Sequence, residues 1–283
     1  MKPLGNVGTQ VGDREADGAP SAGRPWEGVN GGPARAASDA PEATTLRALA
    51  PERGLPRRGR WASVLDAPAL FRLRDVVVAL ACLALAAPLM GLIALLIRLD
   101  SPGPAIFRQR RVGRQRWHES NAGNGDGRGE IETFLFCKFR TMYVDARERF
   151  PDLYRYEYTP AEIESLIFKL VDDPRLTRVG FWLRRASLDE LPNFINVVKG
   201  NMSLVGPRPD IPEMLRYYKD WQKIKFLVKP GITGYAQTNG RALLSFQRTL
   251  REDVRYVLER SFLNDLWILV KTVWVTVKRV GAF

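Results

Sequence analysis

The sequence predicts an α+β fold, mainly helical, held at a membrane by one apolar segment that enters and leaves on the same side. Three observations lead there. Val76 to Ile97 is a 22-residue run without a charge, and a helix needs about 20 residues to cross a bilayer core. The composition changes sharply just before that run. Beyond it, segments with helical spacing outnumber the one short apolar stretch that reads as a strand.

The flanks and the middle of the run shape the membrane reading. Arg72 and Arg74 precede it, and Arg98, Arg108, Arg110, Arg111 and Arg114 follow it. A simple span carries its positive charge mainly on the cytoplasmic side. Pro88 and Gly91 lie near the centre, and proline bends a helix by removing one backbone bond and crowding the preceding turn. A helix over 66–100 that enters, bends at Pro88 and returns to the cytoplasmic face fits both features. A buried core helix is the alternative.

Residues 1–65 predict a disordered tail. Only seven of the first sixty are Leu, Ile, Val or Phe, too little apolar surface to offset the entropy of ordering. The tail also lacks the apolar stretch of a signal peptide. The whole chain has 43 Lys and Arg against 31 Asp and Glu, a net charge of +12. That balance favours anionic partners: nucleic acid, acidic lipid headgroups or phosphorylated substrates. The apolar run argues against nucleic acid.

Residues 101–283 predict one further domain. Within it, 118–130 (His-Glu-Ser-Asn-Ala-Gly-Asn-Gly-Asp-Gly-Arg-Gly-Glu) reads as a flexible surface insertion. Phe134 to Met142 reads as a short strand carrying Lys138 and Arg140, either as strand-face charges or as substrate contacts. Residues 145–170 have helical spacing interrupted by Pro151 and Pro160. Over 262–280, Leu266, Leu269, Val273, Trp274 and Val277 share a helical face, which suits either a core-packing helix or one lying on a membrane surface. Cys82 and Cys137 have no metal or redox spacing. The single histidine, His118, sits in the insertion, so any general acid or base is expected to be a carboxylate. No Walker loop, dinucleotide fingerprint or nucleophile elbow is present.

The segment Arg184-Arg185-Ala-Ser187-Leu-Asp189-Glu190-Leu-Pro192 admits two readings. Ser187 and Glu190 match an S-x-x-E capping box at a helix start, with Gly200 ending that helix after Lys199. Alternatively, one of the paired carboxylates is a nucleophile toward phosphorus or a magnesium ligand. A carboxylate can split one hard displacement into two, and Mg2+ bridges one or two carboxylates to substrate phosphates. Gly206-Pro207-Arg208-Pro209 presents Arg208 from a stiff loop, and guanidinium suits bidentate phosphate recognition. Lys229 in Lys229-Pro-Gly-Ile-Thr-Gly234 is another phosphate candidate, or part of an ordinary glycine turn. Asp172-Asp173 reads as a turn or helix start.

Taken in order, these segments resemble the bacterial sugar transferases, monotopic phosphoglycosyl transferases that begin polysaccharide and glycoconjugate assembly. The likeness runs from about Arg72 to Ala282. It is carried by Asp75 with the apolar helix, Gly103-Pro-Ala-Ile-Phe-Arg-Gln-Arg-Arg-Val-Gly113, Lys138-Phe-Arg-Thr-Met142, Asp173-Pro-Arg175-x-Thr-Arg178-x-Gly180, Ser187-Leu-Asp-Glu-Leu-Pro192, Gly200 to Pro209, and Lys229 to Gly234 with Gln237 and Asn239-Gly-Arg241.

The resemblance implies a re-entrant helix broken at its proline and a compact catalytic domain at the cytoplasmic face of the bacterial inner membrane. It implies Asp189 as the nucleophile on the β-phosphate of a UDP-sugar. UMP would leave, and polyprenyl (undecaprenyl) phosphate would then take the phosphosugar. Glu190 would join Asp189 in catalysis, helping it hold Mg2+ or positioning groups. Arg208 looks like a contact to the donor diphosphate, with Lys138, Arg140, Arg184 and Lys229 as further substrate contacts. Membrane lipids are expected partners, and a homo-oligomer is compatible with the sequence. The pattern departs from some members at Ala87, where they carry serine, and in the 118–130 insertion. The rival reading is a non-enzymatic, basic, membrane-anchored adaptor, which leaves Asp189-Glu190 among so many arginines unexplained.

Overall fold

The apolar run forms one helix, α1, Ala69–Asp100, 32 residues long, and it is long and apolar enough to cross a membrane. The computed structural model describes residues 69–117, 129–168, 170, 172–240 and 243–277. All of these belong to one compact unit. The readings for 1–65, for most of the 118–130 insertion and for Arg241 lie outside the described residues.

Pro88 lies inside α1, and the helix runs on past it. A proline deletes one backbone bond of a turn, and the neighbouring turns carry the helix past it.

Both ends of α1 dock on the same body. At the start, Arg72 donates to the carbonyls of Val197 and Val198 at 2.6 and 2.8 Å. Asp75 accepts from Ser203 and Arg74, and Arg74 reaches Asp265 at 2.9 Å. At the end, Ile93 and Ile97 pack with Phe139 and Leu183, and the Asp100 carboxylate accepts from the Val179 amide at 3.0 Å. Between these anchors Leu80, Leu85, Leu89 and Leu92 are exposed, Leu85 by 82%.

After α1 comes an antiparallel hairpin, β1 (Ile106–Trp117) and β2 (Gly129–Phe139), irregular between Val112 and Gln115. Phe134 and Phe136 turn inward and Leu135 outward, the period-two pattern of a half-buried strand. The charged stretch beyond resolves into α2 (Ala146–Arg149), a 3-10 turn (Pro151–Tyr154) and α3 (Pro160–Ser165). Pro151 and Pro160 open elements there rather than break them, because the first turn has no use for their missing N–H. Thr159 and Glu162 close a reciprocal capping box at α3.

The rest assembles around short pieces. Helices α4 (Arg178–Arg185) and α5 (Asn193–Lys199) lead to β3 (Ser203–Val205), which pairs in parallel with β4 (Gly231–Thr233). Two 3-10 turns, Pro212–Tyr217 and Asp220–Leu227, lie between the strands. Then come α6 (Tyr235–Asn239), α7 (Phe246–Glu259) and α8 (Phe262–Val277). The β3–β4 crossing is so close that a Cβ on Gly231 would lie 2.1 Å from the Gly206 nitrogen, so glycine is required there. The described residues are thus α+β and mostly helical, as the sequence predicts.

Helix α8 packs one side on the body and leaves the other bare. Asp265, Ile268 and Val275 are buried on the body. The opposite side exposes Leu263, Leu266, Trp267, Val270, Val273 and Trp274, an apolar stripe at helical spacing.

Candidate active site

The paired carboxylates stand in the turn between α4 and α5, not in the first turn of a helix. Helix α4 starts with the Thr177 side chain capping Gly180. A Cβ on Gly180 would fall 2.0 Å from the Thr141 carbonyl oxygen, so this glycine lets α4 press against the chain beyond β2. At its other end the Leu188 amide bonds back to the Leu183 carbonyl and the Ser187 amide to that of Arg184. Ser187 has φ 56. This is a Schellman closure with serine in the left-handed position usually held by glycine.

Ser187 therefore ends α4 and does not cap α5, which begins at Asn193 with no side-chain cap. The capping-box reading fails because a residue bent into that region cannot also adopt the extended conformation of an N-cap. The other end of α5 follows expectation, with Gly200 at φ 84. Ser187→Gly should relieve the left-handed strain and stabilise the protein by about 0.5 kcal/mol, after deducting the extra unfolded-state entropy of glycine. A rise in melting temperature in detergent checks this, and a fall would show that the serine hydroxyl contributes more than the strain costs.

This turn presents Asp189 against the end of β2, where the Phe139 amide donates to the Asp189 carbonyl at 2.8 Å. The Asp189 residue is 8% exposed. Burial and the neighbouring Glu190 carboxylate raise its pKa, against the opposing pull of Lys138, Arg184 and Arg208. Glu190 behaves differently. Burial alone would raise it, but the Arg208 guanidinium, 2.7 Å from its Oε1, holds it below its usual range. Two adjacent carboxylates are thus pushed apart, the pattern of groups with separate tasks.

Four cations surround the pair. Arg208 is presented by the loop after β3. Lys138, near the end of β2, feels Asp189, Glu190, Arg184 and Arg111; burial, with Arg184 next, lowers its pKa to about 8. Arg184 is fastened by Asp173 at 3.3 Å, and Asp173 also grips Arg175 at 2.7 Å. The Asp173 turn expected from the sequence is present, since its Oδ1 accepts from the Arg175 amide. Arg111 was not singled out beforehand as a site residue. It donates to the Pro209 carbonyl at 3.1 Å and stacks on Phe136, and burial lowers its pKa to about 10.

Two expected substrate contacts lie elsewhere. All five N–H donors of a guanidinium are spent in Arg140, on Pro104 O, Ser101 Oγ, Pro102 O, Ile97 O and Ser101 O. Arg140 is 4% exposed and clamps the end of α1. Its alternation with Lys138 suggested a shared face, but β2 ends at Phe139 and the chain turns. Lys229 sits with its ammonium 3.7 Å from a Cβ position on Gly200, beside Arg72. That is the far end of α5, whereas Asp189 and Glu190 precede its near end.

A family profile described as bacterial sugar transferase matches residues 67–279. The chain belongs to that family. Among curated relatives, it is 42% identical to a galactosyl transferase, CpsE, of Streptococcus agalactiae over 66% of this chain and 37% of the relative. It is 38% identical to a UDP-galactose-lipid carrier transferase of Erwinia amylovora over 76% of this chain and 42% of the relative. Identity to the UDP-glucose:undecaprenyl-phosphate glucose-1-phosphate transferase of Escherichia coli is 37%, over 74% of this chain and 39% of the relative. The chain therefore spans about two-fifths of the length of these relatives.

Proposed function

We propose that this chain transfers a phosphosugar from a UDP-sugar to a polyprenyl phosphate, such as undecaprenyl phosphate, with Asp189 as the covalent nucleophile. The observation that carries the reading is the Asp189-Glu190 pair, Asp189 buried and Glu190 half-buried, split in acidity and ringed by Arg208, Lys138 and Arg184. The relatives' names supply the substrate classes, one naming undecaprenyl phosphate and two naming UDP-linked sugars.

The chemistry follows from those groups. An Asp189 carboxylate oxygen attacks the β-phosphorus of the donor, the bond from that phosphorus to the bridging oxygen breaks, and UMP leaves with the electron pair. Arg208, Lys138 and Arg184 spread charge over the transferring phosphoryl group, the main demand of phosphoryl transfer. An oxygen of the polyprenyl phosphate then attacks the same phosphorus and restores the carboxylate. The product is a polyprenyl diphosphate sugar, the first lipid-linked unit for an exopolysaccharide or other glycoconjugate.

Mg2+ suits the pair, because the like-charge crowding that raises Asp189 is the strain a cation would relieve. Among the described residues no three His, Cys, Asp or Glu side chains cluster as a complete metal cage, but Mg2+ is content with one or two carboxylates plus waters and substrate phosphates. Asp189 and Glu190 would hold it, and it would supply neutralisation of the diphosphate charge.

We place the membrane at the exposed middle of α1. A 32-residue helix would be about 48 Å long if straight, yet both ends of α1 are fastened to one body while its leucine-rich middle is bare. A re-entrant path, with both ends at the cytoplasmic face of the bacterial inner membrane, reconciles those facts. The exposed stripe of α8, with two tryptophans of the kind that settle at membrane interfaces, would rest on the same surface.

The test is a panel of UDP-sugars, including UDP-galactose and UDP-glucose, with undecaprenyl phosphate, Mg2+ and the detergent-purified chain. UMP release supports the phosphosugar mechanism and names the sugar. UDP release instead of UMP refutes it.

Acidity adds a second check. Lys138 loses its charge as pH rises through about 8, so kcat/KM for the donor should fall on that limb. Lys138→Arg should carry the limb to higher pH, since guanidinium stays protonated. An unchanged alkaline limb in that variant would assign it to another group.

A further inference from the structure

Beneath Arg208 lies a buried ionic cluster that the reaction above does not use. Lys225, in the 3-10 turn Asp220–Leu227, is 2% exposed. Its ammonium meets Asp210 at 2.8 Å and Asp253, on α7, at 2.7 Å. It also donates to the Arg208 carbonyl at 3.1 Å and to the Tyr218 hydroxyl at 3.3 Å. Tyr218 in turn donates to Asp210. Asp253 is 1% exposed, and its carboxylate holds the Lys225 ammonium from the side of α7. Lys225 thus grips the main chain of the residue whose side chain reaches Glu190, and Asp253 holds Lys225 in place.

Buried ion pairs are poor stabilisers, because desolvation consumes most of their attraction. Their recurrent use is to specify one arrangement. Here the surroundings show which. A small cleft beside the loop is lined by Val112, Gly113, Pro207, Arg208, Lys225 and Phe226. The neighbouring main-chain groups are tied too: Gly206 N to Thr233 O, Pro207 O to Gly231 N, Pro209 O to Arg111 and Asp210 O to Val112 N. Arg208 itself is held from below by the charged pair.

We propose that Lys225 and Asp253 are positioning residues for the reaction, fixing the Arg208 main chain so that its guanidinium meets the donor diphosphate. This rests on the phosphosugar-transfer reading above. Ionisation supports it: the two aspartates keep Lys225 charged although burial alone would lower it, and burial pushes Asp253 up only to about 6, leaving it ionised at neutral pH.

The experiment is a double-mutant cycle on UMP release with the full chain. Lys225→Met and Asp253→Asn should each lower kcat/KM for the donor about 30-fold, since small misplacements of a positioning group cost up to about 100-fold. In an Arg208→Ala background each should cost less than about 3-fold, because the group being positioned is gone. Equal losses in both backgrounds would mean a general role in the fold and overturn the proposal, as would no loss in the native background. Asp253→Asn keeps the shape of the cluster, so it decides the matter if Lys225→Met does not fold. Hydrogen exchange over residues 206–210 reads the same device without turnover and should quicken there alone. A silent wild-type enzyme would sink the reaction assigned above, while unchanged loop exchange in Asp253→Asn would sink this one.

Discussion

Asp189→Asn should lower UMP release by about 10⁴-fold or more, the scale seen when a covalent nucleophile is removed, while the protein remains folded. The substitution keeps the shape of the side chain and the main-chain bond from Phe139. Its effect on stability has a definite sign. Burial and Glu190 raise the Asp189 pKa, so the folded protein binds that proton more tightly than the unfolded chain. Stability therefore falls as pH rises through this titration, and at neutral pH the ionised group destabilises the fold. Asparagine removes that charge, so its melting temperature at pH 7 should equal or exceed the native one. Intact-mass measurement after incubation with donor alone should show a phosphosugar adduct on the native chain and none on the variant. An adduct that persists in Asp189→Asn places the nucleophile elsewhere. A loss of only about tenfold would reduce Asp189 to a metal-holding or orienting role, and no loss of cellular function at all would revive the adaptor.

The parts of the molecule written as long patterns are the ones visible in its sequence. The uncharged run became α1, and the strand ending near Lys138 and the Gly200 stop both appear. Single-residue geometry was harder. Ser187-x-x-Glu190 satisfies the letter pattern of a capping box, but only the backbone reveals Ser187 at φ 56, closing the helix before it. Arg140 and Lys138 alternate along the chain, yet the strand ends between them, sending one guanidinium under α1. Helix α7 has a legible signal: Phe246, Leu250, Val254 and Val257 recur at helical spacing behind a Ser245 cap. Strand β1 had almost none, because its Arg- and Gln-rich letters do not show which side is inward until β2 lies beside it. Arg111 is hidden for that reason. Lys225 and Asp253 come from distant segments, and nothing local in a lone buried lysine names its partners.

Arg208→Ala should reduce kcat/KM for the donor by about 10²–10³-fold, the usual cost of losing one preorganised charge donor at a reacting centre. Stability should change little, since the Arg208 side chain is 44% exposed and its partner Glu190 25%, and such pairs contribute about 0–1 kcal/mol. The loss has two routes that can be separated. Arg208 can act on the substrate, or it can act only by holding Glu190 ionised. Without it Glu190 loses the charge that opposes its desolvation, so its pKa should rise and the acidic limb of the pH profile should move upward. If holding Glu190 were the whole role, Arg208→Lys would recover most activity, since ammonium also favours the carboxylate. A direct contact to two phosphate oxygens predicts poor recovery, because lysine is a point charge without the planar fork. The donor KM should rise with it, while the rate at which a preformed phosphosugar adduct passes to polyprenyl phosphate should fall less. Full rescue by lysine would remove Arg208 from the donor site and leave it as the counter-ion of Glu190.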